Sequence, residues 1–486
     1  MNEPAPARVR LSRENYIPVS KHRLTRKLIE QLPDESSSRQ WFGDFCRLIE
    51  AIYHFEYHRT SEELKEDFHL FNSEMGQREL DQAAPEQVAK SESRFLSHFI
   101  DMMRKANFQP LTQADVDMAE AEDYLFNLPV IIDWEKLDAE MLPRFFASHP
   151  YSLEGEPPEF AKRILIFRRG VGIDQAVGFH LLAKIDLLVT FFLEWLFSLP
   201  RRLFGKQPPA KAAPPADCEP PPKENKTSIF EEEYVERVTL RHSMTGIGAL
   251  FRRTRLQEPT FRELVILFRF ASLPKNGANK KDWAVHVKAF RDIPMADLEV
   301  VFPEKRISMQ AIDLVKLVIT GAIGFVVVLV KFVFSAALNP LVALAALSTI
   351  GGYVAKIFVG FKASKDRYQY LVTHSLYHKN LDNDLGVVFY LMDSLEEQEF
   401  KEAVLAYYML LRKGACSEKE LDAHCEEFLH EHFGVKVDFE ADDALAKLER
   451  DHLVEFADSQ YRAIGLEEAL RRLDEKWDNY FAYNNG

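Results

Sequence analysis

The sequence predicts an α+β membrane protein with an N-terminal helical region, a mixed α/β middle domain, a two-helix transmembrane hairpin and a C-terminal winged-helix-like unit. Three observations predict this class. Short β-branched runs cluster in the middle of the chain, two long uncharged stretches follow them, and helical patterns with one hairpin pattern fill the end. The length of 486 residues suits about two to four folded units.

The N-terminal helical region spans residues 12–125. Apolar side chains recur at helical spacing after Ser36, which favours a helix start there. Thr60 and Glu63 have the spacing of a capping box, so a new helix is predicted to begin at Thr60. Another short helix is predicted to begin at Thr112.

The middle domain spans residues 126–310 and contains short runs of β-branched and aromatic residues that predict strands. These runs are residues 130–132, 164–167, 235–240, 264–268 and 285–290. A turn is predicted at residues 170–174, where glycines follow the second run. The proline-rich residues 206–228 are predicted to form a disordered insertion. The helix predicted at 180–204 fits a core position and a membrane interface equally well.

Two uncharged stretches predict a transmembrane hairpin at residues 312–361, with spans at about 315–337 and 340–361. A membrane-exit helix is predicted at residues 362–390. Basic residues flank the hairpin on both sides, so the positive-inside rule places both termini in the cytoplasm. These basic flanks are expected to contact anionic lipid headgroups.

Five residues within the hairpin carry specific expectations. Asn339 and Pro340 are predicted to form the tight turn between the spans. Lys331 is the one charge between Leu317 and Ala355, and its long stem can carry the ammonium toward the headgroups. Gly324 and Gly352 lie at similar depths, which predicts close approach of the two backbones there.

The C-terminal unit, residues 391–486, holds nearly all of the net charge of −14. It contains 24 acidic and 11 basic residues, a net charge of −13. Three helical patterns, a hairpin pattern at 453–464 and a last helix follow in winged-helix order. Because this charge repels phosphate, we expect a protein partner and no nucleic acid.

No nucleotide loop, zinc-protease motif or nucleophile elbow occurs, so no cofactor is expected. His54 and His58 share a helix face and are weak metal candidates, because a zinc site needs further ligands. A polar helix surface is the favoured explanation, and no metal is expected. If the chain were an enzyme, its catalytic candidates would be Arg168, Arg169, Asp174, Asn380 and Asp382.

Several segments resemble the domain-of-unknown-function family 3754. The segments that carry this resemblance are residues 166–174, 290–299, 365–368, 377–383, 397–403 and 477–481. The resemblance implies a membrane-anchored protein, and it supplies no established activity or catalytic residues. The N-terminus does not look like a mitochondrial presequence and cysteines are few, which suggests a bacterial member in the inner (cytoplasmic) membrane, with the mitochondrial inner membrane as the alternative.

The function expected from the sequence is that of a membrane-anchored scaffold or adaptor. Residues 391–486 would dock a protein partner, and homo-oligomerisation stays open. The alternative is a lipid- or headgroup-modifying enzyme with its site in the middle domain. The sequence leans against an enzyme, because no catalytic motif is present.

Overall fold

The structure, a computed structural model, describes most of the chain outside residues 179–282 and 308–375. Its described residues are 8–11, 13–33, 36–120, 130–153, 155–178, 233–236, 253–271, 283–307 and 376–480, with single positions at 184 and between 326 and 374. The α-helices are α1 (Lys21–Glu30), α2 (Ser36–Asn72), α3 (Glu74–Gln82), α4 (Pro85–Lys105), α5 (Gln113–Glu120), α6 (Met141–Ser148), α7 (Leu385–Lys413), α8 (Glu418–Phe433), α9 (Ala441–Arg450) and α10 (Leu466–Asn479). The strands are β1 (Arg8–Leu11), β2 (Gln109–Pro110), β3 (Val130–Ile132), β4 (Ile164–Gly178), β5 (Glu233–Glu236), β6 (Thr254–Arg269), β7 (Val285–Pro294), β8 (Lys305–Ile307), β9 (Asn380–Asn383), β10 (Val454–Ala457) and β11 (Gln460–Ala463).

The N-terminal helices confirm two of the three predicted starts. Helix α2 begins at Ser36, and the backbone N–H of Thr112 donates to Asp115 Oδ2 (2.9 Å) just before α5. The predicted start at Thr60 is wrong, because α2 runs unbroken through it. Its buried stripe continues from Phe45 to Phe68 on both sides of that position, and burial of this stripe outweighs the local capping signal.

An antiparallel sheet in the order β2-β4-β6-β7-β9 forms the middle of the protein. The two long central strands pair from Ile164 opposite Phe268 to Gly178 opposite Thr254. The predicted turn at residues 170–174 is wrong, because β4 continues through it. Gly170 adopts φ +77°, a conformation that glycine tolerates, and its pairing with Arg262 is missing while the register on both sides is unchanged.

The C-terminal elements follow the predicted order of helices and hairpin. Helices α7, α8 and α9 precede the β10–β11 hairpin, and α10 follows it. The range predicted as one helix, 362–390, differs from the structure: residues 380–383 form β9 on the edge of the sheet, and α7 begins at Leu385.

Three apolar clusters fill the described structure. The first joins α1 and α2 to α7–α10, so the first and last parts of the chain share a core. Ring pairs mark this contact, with Phe45 stacked on Tyr407 at 4.2 Å between centroids. The second cluster packs helices against one face of the sheet, and the third covers the other face. The acidic unit is therefore anchored to the N-terminal helices by buried apolar surface.

The membrane part of the predicted fold class is wrong, and the described chain is an α+β protein. No helix among the described residues has both the length and the apolar composition needed to cross a bilayer. The long helices α2 and α7 carry charged residues along their lengths. The transmembrane assignment and the multi-pass location in a bacterial or mitochondrial inner membrane are wrong for the same reason.

Several predictions concern residues that the structure does not describe. The predicted spans at 315–337 and 340–361 and the helix at 180–204 lie outside the described residues except at single positions, and the insertion at 206–228 lies wholly outside them. Gly324, Lys331, Asn339 and Pro340 also lie outside them. Gly352 is described as helical and exposed. Gly324, toward which Gly352 is predicted to pack, is not described, so the close approach of the two backbones stays a prediction.

Candidate functional site

The five predicted catalytic residues are distributed across the sheet. Arg168 and Arg169 are neighbours on β4 and therefore point to opposite faces. Asn380 and Asp382 lie on β9, which is separated from β4 by β6 and β7. Strands β4 and β9 are three strand spacings apart, which corresponds to about 14 Å. The structure therefore does not bring the five residues together into one catalytic constellation.

Arg169 is buried, and its side chain is bonded to other parts of the fold. Its guanidinium is buried and donates to Glu263 Oε2 (2.7 Å), to the carbonyl of Ala106 (2.8 Å) and to the hydroxyls of Ser394 and Tyr390. These partners come from β6, the end of α4 and helix α7. Arg169 thus ties the sheet to two helices, and none of its donors faces a cavity.

The other candidates have separate partners. Arg168 Nε lies 3.3 Å from Asp115 Oδ2. Asp382 Oδ1 accepts the backbone N–H of Asn383 at 2.8 Å. The side-chain oxygen of Asn380 is buried and has no hydrogen-bond donor among the described residues.

Asp174 lies near two charged residues from other segments of the chain. Lys379, Asp297 and Asp174 come from three of the segments that carry the family resemblance, and they interact electrostatically. Burial raises the pKa of Asp297 to about 6, although Lys379 opposes the shift. Burial also lowers the pKa of Lys379, whose Nζ donates to the carbonyl of Asp292 at 2.6 Å. Burial thus shifts the pKa values of a carboxyl and an amine toward their neutral forms in the same neighbourhood.

His54 and His58 lie one turn apart on α2, with ring centroids 6.0 Å apart. Both side chains are exposed, at 67% and 54%. His54 Nδ1 lies 2.9 Å from Glu396 Oε2, and His58 Nε2 lies 3.8 Å from Glu62 Oε1. Each imidazole therefore has its own carboxylate neighbour on the surface.

The sequence did not point to a cluster of carboxylates on α7 and α9, in which Glu399 and Glu402 are buried and Asp443 is exposed. Oxygens of Glu399, Glu402 and Asp443 lie within 4.8 Å of one another, a spacing at which carboxylates can share a cation. The Lys447 ammonium already lies among them, bonded to Glu402 (2.7 Å), Asp443 (2.8 Å) and Glu399. Asn107 donates to Glu402 as well (3.2 Å). The cluster supplies its own cation, so it is an ion-paired core element and not a metal centre.

The cluster has a signal in the sequence. Glu399 and Glu402 lie at the start of the largely apolar half of α7, and every residue from Gln398 to Leu410 is buried. Charges on such a helix require a buried partner. The sequence cannot name that partner, because Lys447 is 45 residues from Glu402.

An N-terminal strap, defined as residues 13–21, joins the acidic unit to the sheet. Arg13 pairs with Glu426 on α8 at 3.1 Å. Lys401 on α7 donates to the carbonyl of Ile17 at 2.6 Å. The strap therefore crosses the junction of the acidic unit and the middle domain, held by charged and polar side chains.

Glu14 of the strap lies at Gly170, where the pairing of β4 with β6 is interrupted for one residue. The backbone N–H of Gly170 donates to its carboxylate at 2.8 Å, and the N–H of Val171 contributes a second bond. Burial raises the pKa of Glu14, while Arg168 and Arg262 oppose the shift. These two backbone N–H groups form an anion nest that holds an internal carboxylate.

The acidic unit presents an exposed aromatic pair on its hairpin. Phe456 on β10 is 57% exposed, and its ring lies 4.6 Å from the ring of Tyr461 on β11. Burial and the nearby carboxylates of Glu449 and Glu418 raise the pKa of Tyr461. Both glutamates are exposed. An apolar ring pair next to exposed acids is the strongest candidate docking surface in the described part of the unit.

Comparison with known proteins adds one finding. Residues 261–386 match the family model described as "Protein of unknown function (DUF3754)". This chain carries the DUF3754 region. The resemblance inferred from the motifs is confirmed over that region, and no solved structure matches the chain.

The DUF3754 region covers β7, β9 and most of β6 and includes Asp297 and Lys379. It ends at the start of α7. The Lys447 cluster and the exposed hairpin lie beyond it, in the acidic unit.

Proposed function

We propose that this protein is a scaffold or adaptor that binds a protein partner through its acidic unit, residues 391–486. One observation carries the proposal: the exposed Phe456–Tyr461 pair stands beside exposed acidic side chains on the hairpin. Exposed aromatic residues are enriched where proteins bind one another. The partner surface should present apolar residues together with lysine or arginine.

The charge of the unit supports a protein partner over nucleic acid. With 24 acidic and 11 basic residues, the unit repels a phosphate backbone. The helix before the hairpin, α9, begins with Asp442 and Asp443, and its Lys447 is buried in ion pairs. No cationic face is therefore presented by α9.

The interior of the protein also supports a scaffold. Arg168 and Arg169, which an enzyme could have used, are ion-paired and join elements of the fold. The core shared by α1, α2 and α7–α10 fixes the acidic unit to the rest of the chain. A rigidly held surface loses less conformational entropy when it binds a partner.

Site-specific photocrosslinking tests this proposal in the full chain. A photoreactive phenylalanine analogue replaces Phe456, and a matched control places it at Tyr151, which is 93% exposed and outside the acidic unit. We expect irradiation in cells to give a discrete protein adduct from position 456 and none from 151. The double substitution Glu449→Lys with Glu418→Lys should abolish the adduct.

Three results would count against the proposal. Equal crosslinking from both positions would show non-specific contact. A crosslink to a second copy of the chain would assign the surface to self-association. Binding of duplex DNA by the full chain at moderate salt, lost in Phe456→Asp, would assign the surface to nucleic acid.

A further inference from the structure

We propose that the outer edge of β10 (Val454–Ala457) accepts an extended segment of the partner as an added antiparallel or parallel β-strand, with apolar and basic residues in alternation. This inference rests on the proposed function and names the binding mode of that surface. Strand addition to an open sheet edge is a recurring way of binding peptides, in which main-chain hydrogen bonds give affinity and alternate side chains give specificity.

The hairpin register determines which backbone groups face outward. Ala457 pairs with Gln460 across the two-residue turn at Asp458 and Ser459, whose φ angles are +51° and +62°. A two-residue turn with both φ angles positive closes on a hydrogen-bonded pair. The next pair, Phe456 opposite Tyr461, is then non-hydrogen-bonded, and its N–H and C=O groups point away from the hairpin.

The opposite edge of the hairpin confirms this assignment. The N–H of Tyr461 donates to the carbonyl of Cys416 (2.8 Å), and the N–H of Cys416 donates to the carbonyl of Tyr461 (3.1 Å). The outer edge of β11 is therefore occupied by Cys416. The equivalent groups of Phe456 on β10 have no hydrogen-bond partner in the described part of the chain.

Natural sheets protect open edges with proline, lysine, bulges or covering loops. The edge strand here reads Val-Glu-Phe-Ala, without proline or lysine, and Glu455, Phe456 and Ala457 are all exposed. Its ladder to β11 has no bulge. The protections that β10 does have are its four-residue length and the charge of Glu455, and a basic strand would be attracted by that charge.

The side chains of β10 define the chemistry of the added strand. Phe456 and Glu455 point to opposite faces of the hairpin. A residue opposite Phe456 should be apolar, and a residue opposite Glu455 should be basic, because directly opposed cross-strand pairs of these kinds are stabilising. Arg462 already opposes Glu455 from β11, and the net charge of −13 over residues 391–486 adds further attraction for a basic segment.

A matched pair of substitutions separates strand addition from side-chain docking. Phe456→Ala removes the ring and keeps the outward N–H, whereas Phe456→Pro removes both. The hairpin should tolerate proline at this position because the N–H of Phe456 is not bonded to β11. Circular dichroism of the full-length variants checks that both remain folded.

The probe is a fluorescent eight-residue peptide of alternating valine and lysine, titrated against the full chain by fluorescence anisotropy. Phe456→Ala should raise the dissociation constant about tenfold, as expected for loss of one exposed ring contact. Phe456→Pro should raise it by about a further tenfold, because the main-chain bonds are lost. Two N-methylated peptides complete the test, one modified at every odd position and one at every even position. One of the two should lose binding, because its modified N–H groups face β10, and the other should bind like the unmodified peptide.

The other outcomes are distinguishable. Strand addition would be overturned if both substitutions raised the dissociation constant equally and both N-methylated peptides bound equally. Docking on the Phe456 surface would remain intact in that case. Absence of peptide binding to the unmodified protein would overturn the inferred strand chemistry, and the crosslinking experiment would still decide the proposed function independently. If Phe456→Pro does not fold, the two N-methylated peptides decide the question with the unmodified protein.

Discussion

The ion cluster around Lys447 gives the sharpest stability prediction. The Lys447 side chain is 7% exposed, and its partners Glu399 and Glu402 are 5% and 4% exposed. Replacing Lys447 by methionine keeps a side chain of similar length and removes the one ammonium among the described residues that is bonded to both. Two buried carboxylates would then lack a counter-charge.

The expected loss is large. Removing one partner of a buried ion pair costs about 3–5 kcal/mol, because the remaining charge stays desolvated. Two buried partners place Lys447→Met at the upper end, near 5 kcal/mol. Substituting Glu399→Gln and Glu402→Gln in the same chain should recover at least half of this loss, because neutral amides are cheaper to bury than unpaired carboxylates.

The loss should also depend on pH. Burial already raises the pKa of Glu402, and Lys447 opposes that shift. Without Lys447 the folded pKa rises further above the unfolded value, so the folded state binds the proton more tightly. Stability is then retained below about pH 4.5 and lost as pH rises through the folded pKa, so the deficit of the variant should grow from acidic to neutral pH.

Urea denaturation followed by circular dichroism measures the free energy of unfolding at several pH values. Lys419→Met on α8 is the matched control, since Lys419 is exposed and should change stability by less than about 0.5 kcal/mol. If Lys447→Met lost under 1 kcal/mol at neutral pH, or lost the same amount at every pH, the assigned role of the cluster would be incorrect.

Three further predictions concern other buried groups. Burial, together with Glu426 and Asp438, raises the pKa of Asp422 to about 7. Asp422→Asn should therefore match the parent in stability near pH 4 and exceed it as pH rises through 7. Urea unfolding curves of the two proteins that coincide at both pH values would contradict this. Arg169→Met should lower the free energy of unfolding by about 3 kcal/mol, because Glu263 and the Ala106 carbonyl lose their hydrogen-bond donor. Arg462→Met, at an exposed position, is the control, and its change in the free energy of unfolding should be near zero. Cys46, Cys416 and Cys425 are buried with raised pKa values, so iodoacetamide should alkylate them only in urea; peptide mass spectrometry that found rapid native alkylation of Cys425 would refute that burial.

The order of the elements could be predicted well from sequence where the pattern is local. Four predicted strands are observed, at residues 130–132, 164–167, 264–268 and 285–290. Each was predictable because its β-branched and aromatic residues are consecutive in the sequence. The hairpin at 453–464 is observed for the same reason. Local signals failed where burial outweighed them, as at Thr60 inside α2 and at Gly170 inside β4.

The candidate site was predicted less well. Adjacent positions such as Arg168 and Arg169 looked like one polar motif in sequence, yet a strand directs them to opposite faces. Grouping them with Asn380 and Asp382 required a sheet order that residue spacing does not encode. The transmembrane prediction rested on hydropathy alone, and the described helices do not meet its requirement.

From the sequence alone came the class of each local element, the concentration of negative charge in residues 391–486 and the absence of known catalytic motifs, because each is a property of composition or short spacing. Only the tertiary structure showed that Lys447 neutralises Glu399 and Glu402, that Glu14 fills the nest at Gly170 and that the edge of β10 is open. These are contacts between distant parts of the chain, and they form because the buried apolar core brings those parts together and desolvates the charges that meet there.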